Sequence, residues 1–289
     1  MSILGFITWD VSPVLFEIGN FKIQWYGLLF ICAFIFGYSV LNRVFNYEKV
    51  PSDYLTDLAT YVFIGVLVGA RLGHCLFYEP SYYLAHPVEM FLPIIETEQG
   101  WKFTGYRGLA SHGGAVGILL MIALYSKKTK LSYLWTLDRL VIVVALAGLF
   151  IRTGNLMNSE IYGVETSMPW GFVFVRDGQT VPKHPTQIYE AICYLLIAAG
   201  LYGYYRHKKA KITPGIMLGM FLTVLFLARF VIEFLKEDQE AWEASMTLNM
   251  GQVLSLPFIV AGIVLIVLSL KGVLGKPQDL SKINFKDKN

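Results

Sequence analysis

Charge is what this 289-residue chain has least of. Asp, Glu, Lys and Arg make up 16% of it against 55% apolar residues, and the mean hydropathy is +0.52. Soluble domains carry about a quarter charged residues, so this composition excludes an ordinary water-soluble fold and indicates a membrane protein. Cysteine is scarce too. Cys32, Cys75 and Cys193 lie in three separate apolar runs, which argues for small buried hydrophobes over a disulfide framework or a thiolate metal set. The five histidines are scattered, with no H-E-x-x-H and no clustered carboxylates, so neither a metal nor a cofactor is expected. A net charge of +3 gives no reason to invoke nucleic acid. There is no internal repeat, and no charged n-region of a signal peptide precedes the first apolar run.

Long hydrophobic runs are what the chain has in quantity. They are Trp25–Leu41, Leu55–Phe77, Gly108–Tyr125, Leu137–Ile151, Thr186–Tyr205, Gly215–Leu235 and Val253–Leu270. They are too long and too uniformly apolar for barrel strands, so an all-α polytopic membrane protein with seven transmembrane helices is expected. The first, third and fourth need their flanks to reach across a core about 30 Å thick. Residues 1–289 read as one integral membrane domain. Fourteen Lys and Arg fall in one alternating set of connections and seven in the other, which places the N-terminus outside and the C-terminus in the cytoplasm. The Lys-rich tail, 271–289, then lies at the cytoplasmic surface and reads as disordered. Met1–Phe21 reads equally as a segment lying along the interface and as an ordered N-terminal tail.

The densest polar cluster closes the fourth run, at Ile151–Gly163: I-R-T-G-N-L-M-N-S-E-I-Y-G. Polar groups at that depth cost several kcal/mol unless they are satisfied, and they commonly mark a function. If the helix continues, Arg152 and Asn155 share a face. Gly154, Asn155 and Asn158 equally indicate a break that leaves amides at the lipid boundary. A helix cap followed by a polar loop is the bland alternative.

Other signals flank this one. Trp25-Tyr26 opens the first helix, where boundary aromatics are usually belt residues. Arg71 and His74 share a face of the second, and an arginine in mid-segment calls for an anionic partner, either a neighbouring helix or a ligand. Glu79–Arg107, with Pro80, Pro87 and Pro93, is long enough for a lid or binding arm. It leads to Ser111-His112-Gly113-Gly114, where glycines permit close approach and free N–H groups attract anions. Val164–Lys183 reads as a small extracytoplasmic head with short strands around Phe172–Arg176. His184-Pro185-Thr186-Gln187 starts the fifth helix. In the sixth, Arg229 and Glu233 are spaced to pair along the helix.

Ile151–Gly163 resembles the signature of the prolipoprotein diacylglyceryl transferase family, roughly G-R-x-G-N-F-x-N-x-E-x-x-G, at Arg152, Gly154, Asn155, Asn158, Glu160 and Gly163. Ile151 stands where the family usually has glycine and Leu156 where it has phenylalanine. The W-Y-G at Trp25, the H-G-G at His112, the H-P-T-Q-I-Y-E at His184, the R-x-x-x-E at Arg229 and the M-G-Q-x-L-S-L-P at Met250 extend the likeness through most of the chain. Leu225 replaces a tyrosine that the family often carries.

The resemblance implies a phosphatidylglycerol–prolipoprotein diacylglyceryl transferase of the bacterial inner membrane. It would move a diacylglyceryl group from phosphatidylglycerol to the lipobox cysteine thiol of a prolipoprotein. It further implies Arg152 and Arg229 as a phosphate clamp and His112 as base, with Tyr26 as orienting hydroxyl. Glu160 and Glu233 would position arginines or take a proton, while Asn155, Asn158 and the backbones of Gly154, Gly163, Gly113 and Gly114 would bind substrate. An anion transporter lined by Arg71, Arg152, Arg229 and Glu233 is the rival class, although the matching halves common in transporters are missing. A structural membrane subunit is another.

Overall fold

Polar flanks turn out to complete the short apolar runs. The structure, a computed structural model, describes residues 5–19, 21–92, 94–98, 100–103, 108–237 and 246–285. Expectations resting on Pro93, Arg107, Lys286 and Lys288 therefore lie outside the described residues. Two compact units are present, the first running to Val44 and resuming over Leu137–Gln278, the second covering Phe45–Thr136 and the chain from Asp279.

In the first unit, strands β1 (Ile7–Trp9), β2 (Val14–Ile18) and β3 (Phe21–Gln24) lead into helix α1 (Trp25–Tyr47). β2 and β3 form an antiparallel hairpin, so the N-terminal segment is folded β-structure. Helix α6 (Tyr133–Met157) runs well past the apolar stretch that predicted it, and its 25 residues span about 37 Å. The backbone therefore does not break at Gly154; the helix continues through Asn155. Next come β6 (Phe172–Phe174), α7 (Thr186–His207), α8 (Ile216–Glu233) and α9 (Met250–Leu270). β6 pairs in parallel with β1, Thr8 opposite Val173, and Phe172 and Phe174 are buried with Leu156. Asp138, fully buried on α6, caps α8 by accepting the N–H groups of Gly215 (2.7 Å) and Leu218 (2.9 Å). α9 begins with a reciprocal cap between Asn249 and Gln252.

In the second unit, α2 (Ser52–Phe77) packs on α5 (Ser111–Thr129) almost backbone to backbone. A Cβ built on Gly69 would lie 2.4 Å from the Gly113 carbonyl oxygen, and one on Gly117 2.1 Å from that of Gly65. Only glycine admits such an approach. Between these helices come α3 (Pro80–Ala85), α4 (Pro87–Phe91) and a hairpin of β4 (Ile94–Thr97) and β5 (Gly100–Phe103). Arg71, buried on α2, donates to the carbonyls of Glu89 (2.5 Å) and Met90 (3.1 Å) and lies over the Tyr83 ring. Those two partners are backbone groups of the segment that follows α2. The tail departs from expectation as well. Leu280–Lys282 forms a helical turn behind an Asp279 cap, and Phe285 packs edge-on against Tyr54.

Six helices among the described residues, α1, α2, α6, α7, α8 and α9, are long and apolar enough to cross a membrane. α5 falls at the position of the third run, but His112, Lys127 and Lys128 dilute its apolar content. The protein is a mostly helical polytopic membrane protein, and its described residues include three short strand pairs.

Candidate active site

The polar end of α6 is built into a network inside the first unit. Arg152 occupies its last two turns. Its Nη1 donates to Asn155 Oδ1 at 3.3 Å, as the spacing of three predicts for a continuing helix. Asn155 Nδ2 donates to Glu160 Oε1 at 2.7 Å, and Asn158 Nδ2 approaches the same oxygen at 3.3 Å. Glu160 thus returns to the helix that precedes it and orders the amide that holds Arg152.

That return requires a tight turn. Ser159 (φ 54°) and Ile161 (φ 61°) both sit in the left-handed region, where a β-branched residue is a true outlier. Such strain costs on the order of 1–3 kcal/mol per residue and persists only where its surroundings enforce it. The start of α7 does so. Gln187 Nε2 donates to the Glu160 carbonyl (2.7 Å), Thr186 Oγ1 to that of Ile161 (2.9 Å), and the Gly163 N–H to that of His184 (2.8 Å). Gly163 is needed for packing: a Cβ there would lie 2.2 Å from the Leu235 carbonyl oxygen. Gly154 admits the ring of Tyr26, which a Cβ would meet at 2.7 Å.

On its other side Arg152 meets an acidic group. Its Nε lies 2.9 Å from Glu190 Oε2, an ion pair without hydrogen-bond alignment. Glu190, fully buried on α7, presents Oε1 to Lys236 Nζ at 3.1 Å, and Lys236 also reaches Glu233 Oε2 at 3.2 Å. Tyr194 Oη donates to Glu190 at 3.4 Å, and Gly251 lies so close under the Glu233 carboxylate that a Cβ would come within 2.4 Å of it. Burial pulls the Lys236 ammonium below the usual lysine range, with Glu190 opposing that shift. Burial likewise lowers His184, whose Nδ1 lies 3.1 Å from Tyr189 Oη. Tyr189 Oη also accepts from Trp170 Nε1 at 2.8 Å.

Of the residues expected in the site, the first unit gathers Tyr26, Arg152, Gly154, Asn155, Asn158, Glu160, Gly163 and Glu233. Arg229 lies one turn before Glu233, half-buried, but the expected pair between them does not form. Glu233 takes Lys236, and among the described residues Arg229 has no carboxylate at ion-pair distance. Its charge still acts on Lys236 and Tyr194. His112, Gly113 and Gly114 belong to the second unit. There His112 is exposed at the start of α5 and lines a groove of about 690 Å³ with Leu72, Leu76, Tyr78, Val116 and Leu120.

Sequence reasoning passed over Glu190, Lys236 and Gln187. Glu190 closes the H-P-T-Q-I-Y-E string and was visible there, though with no role attached. Lys236 counted only as a loop charge; its spacing of three from Glu233 offered one partner, but nothing local pointed to Glu190.

The family model described as prolipoprotein diacylglyceryl transferase matches residues 13–268 of this chain. The chain is similar to phosphatidylglycerol–prolipoprotein diacylglyceryl transferases from three bacteria. The one from Porphyromonas gingivalis is 46% identical over 286 residues, covering 94% of this chain and 97% of that protein. The Tolumonas auensis protein is 47% identical over 264 residues (91% and 97%), and that of Chloroherpeton thalassium 42% over 273 residues (94% and 97%).

Proposed function

The chain belongs to the prolipoprotein diacylglyceryl transferase family, and from that premise we propose that it transfers the diacylglyceryl group of phosphatidylglycerol to the lipobox cysteine of prolipoproteins. The thiolate sulfur attacks the glyceryl carbon that carries the phosphate oxygen. As the S–C bond forms, the C–O bond breaks, its electron pair stays on the phosphate oxygen, and glycerol phosphate leaves. The thiol proton goes to a base.

The observation that carries this reading is the network centred on Arg152 at the end of a membrane-length helix. A phosphodiester becoming a phosphomonoester gains charge, and fixed guanidinium donors answer that need where water is scarce. In our reading Arg152 and Arg229 hold the phosphate. Glu190 anchors the charge of Arg152 at Nε, and the bond from Nη1 to Asn155 sets the direction of its fork. Arg229, one turn before Glu233 on α8, supplies the second positive charge. Asn155 and Asn158 orient Arg152 and the headgroup, and the backbones at Gly154 and Gly163 admit the substrate's polar end. Glu160 and Glu233 act as positioning carboxylates, and Tyr26 orients the headgroup with its hydroxyl. His112, with Gly113 and Gly114 at the head of α5, takes the thiol proton.

We place residues 1–289 as one integral domain of the bacterial inner membrane, with α5 as a seventh crossing. The N-terminus and the head at 164–183 lie outside, and the tail at 271–289 is cytoplasmic. The site then faces the side on which secreted prolipoproteins emerge. The test is incorporation of labelled diacylglycerol from phosphatidylglycerol vesicles into a lipobox peptide. Thioether-linked label that requires the peptide cysteine supports the reading, and its absence from folded protein overturns it.

A further inference from the structure

We propose that Lys236 is a positioning residue for this reaction, holding Arg152 in place through a shared carboxylate. The inference rests on the transferase reading above and deepens it. Glu190 uses one oxygen for Arg152 Nε (2.9 Å) and the other for Lys236 Nζ (3.1 Å), so a single rigid group fixes both cations. Lys236 in turn spans to Glu233 at 3.2 Å, joining α7 to the end of α8. All four groups are enclosed, with the Lys236 side chain only 2% exposed. Two carboxylates buried this close repel each other unless a cation lies between them, and Lys236 is that cation.

The backbone of Lys236 is tied to the same place. It pairs in an antiparallel bridge with Gly163, the last residue of the signature stretch, and the Val164 N–H donates to the Leu235 carbonyl at 2.9 Å. The chain at Leu235–Lys236 is therefore tied to the end of the signature stretch by its main chain, while the Lys236 side chain holds the Arg152 counter-ion. Without the ammonium, Glu190 Oε1 keeps only the long Tyr194 contact (3.4 Å), and more of the carboxylate's charge falls on Arg152, drawing the guanidinium out of register with the phosphate.

The charged and titratable groups facing the ammonium are Glu190 and Tyr194 on α7, Glu233 and Arg229 on α8, and Arg152 on α6. An ammonium held below its ordinary range loses its proton at a lower pH than an exposed lysine, whereas a guanidinium at the same place stays charged.

The experiment compares full-length parent, Lys236→Arg and Lys236→Met in phosphatidylglycerol vesicles with one lipobox peptide, from pH 7 to 10.5. Thiol ionisation is common to all three and cancels in the ratios. We expect Lys236→Met to lose at least tenfold in kcat. Lys236→Arg should recover most of that rate and keep it to higher pH than the parent. A Lys236→Met variant with the parent's kcat overturns the inference. So does a Lys236→Arg profile that falls at the same pH as the parent's, which also decides the matter should Lys236→Met not fold. An inactive folded parent overturns the transferase reading and this inference together, whereas an active parent with indifferent variants overturns this one alone.

Discussion

Arg152 is where geometry and chemistry meet most closely, because its role depends on shape more than on charge. Its guanidinium is oriented from one side by Glu190 and from the other by Asn155, itself held by Glu160. A lysine there keeps the charge but loses the planar fork. Arg152→Lys should therefore lower activity by well over tenfold, more than about 1.4 kcal/mol in the transition state. Steady-state kinetics on folded variant checks this, and a variant with the parent's rate would make Arg152 structural. His112 calls for a different test. Imidazole is suited to accept a proton near neutral pH, whereas glutamine can donate a hydrogen bond but hold no proton. If His112 is the base, His112→Gln loses most activity near pH 7 and regains much of it at higher pH, where the thiolate forms unaided. A pH–rate profile lowered by one factor throughout would assign His112 to binding and send the search for a base to Glu160 or Glu233.

At the scale of elements, the segment after α2 is held by a hook. Arg71 grips the end of α4 through two carbonyls, and the Glu89 carboxylate accepts the Glu96 N–H (2.9 Å) and the Tyr82 hydroxyl (2.7 Å). Those bonds favour the carboxylate, so Glu89 stays below its ordinary range, while Tyr82 is pushed up to about 12, chiefly by its bond to Glu89. A carboxyl lowered by folding contributes stability above its unfolded pKa, about 4.3. That contribution fades as pH falls below this value and through the still lower folded pKa. The β4–β5 hairpin should therefore stay protected from amide exchange at pH 6 and loosen below about pH 4. Glu89→Gln should loosen it at both. Equal exchange for parent and variant at pH 6 would show that the hairpin is held by other contacts.

At the scale of the molecule, the split of basic residues predicts which connections face outward. In a background without native cysteines, Thr97→Cys and Thr180→Cys should react with an impermeant thiol reagent from the outer side, and Lys128→Cys only after the membrane is opened. All three positions are exposed. Labelling of Thr97→Cys and Thr180→Cys only from the cytoplasm would reverse the orientation and, with it, the side on which the site works.

The long helices were legible because membrane crossing is governed by composition over about 20 residues, a property local to the chain. α2 and α7 matched their apolar runs to within a turn. α1 and α6 ran longer, because helix ends are set by satisfied backbone groups and not by where hydrophobicity stops. The signature residues were legible for a related reason: Arg152, Asn155, Asn158 and Glu160 are close in sequence, and one helix end with one turn brings them together. Tertiary structure alone decided the remaining partners. Glu190 lies 38 residues beyond Arg152 and Lys236 46 beyond Glu190, as the numbering shows. No local pattern announces that α7 and the end of α8 will bury these two side chains around one guanidinium. It likewise decided between two cations at helical spacing from Glu233, Arg229 four before and Lys236 three after: the carboxylate takes Lys236, which is buried with it.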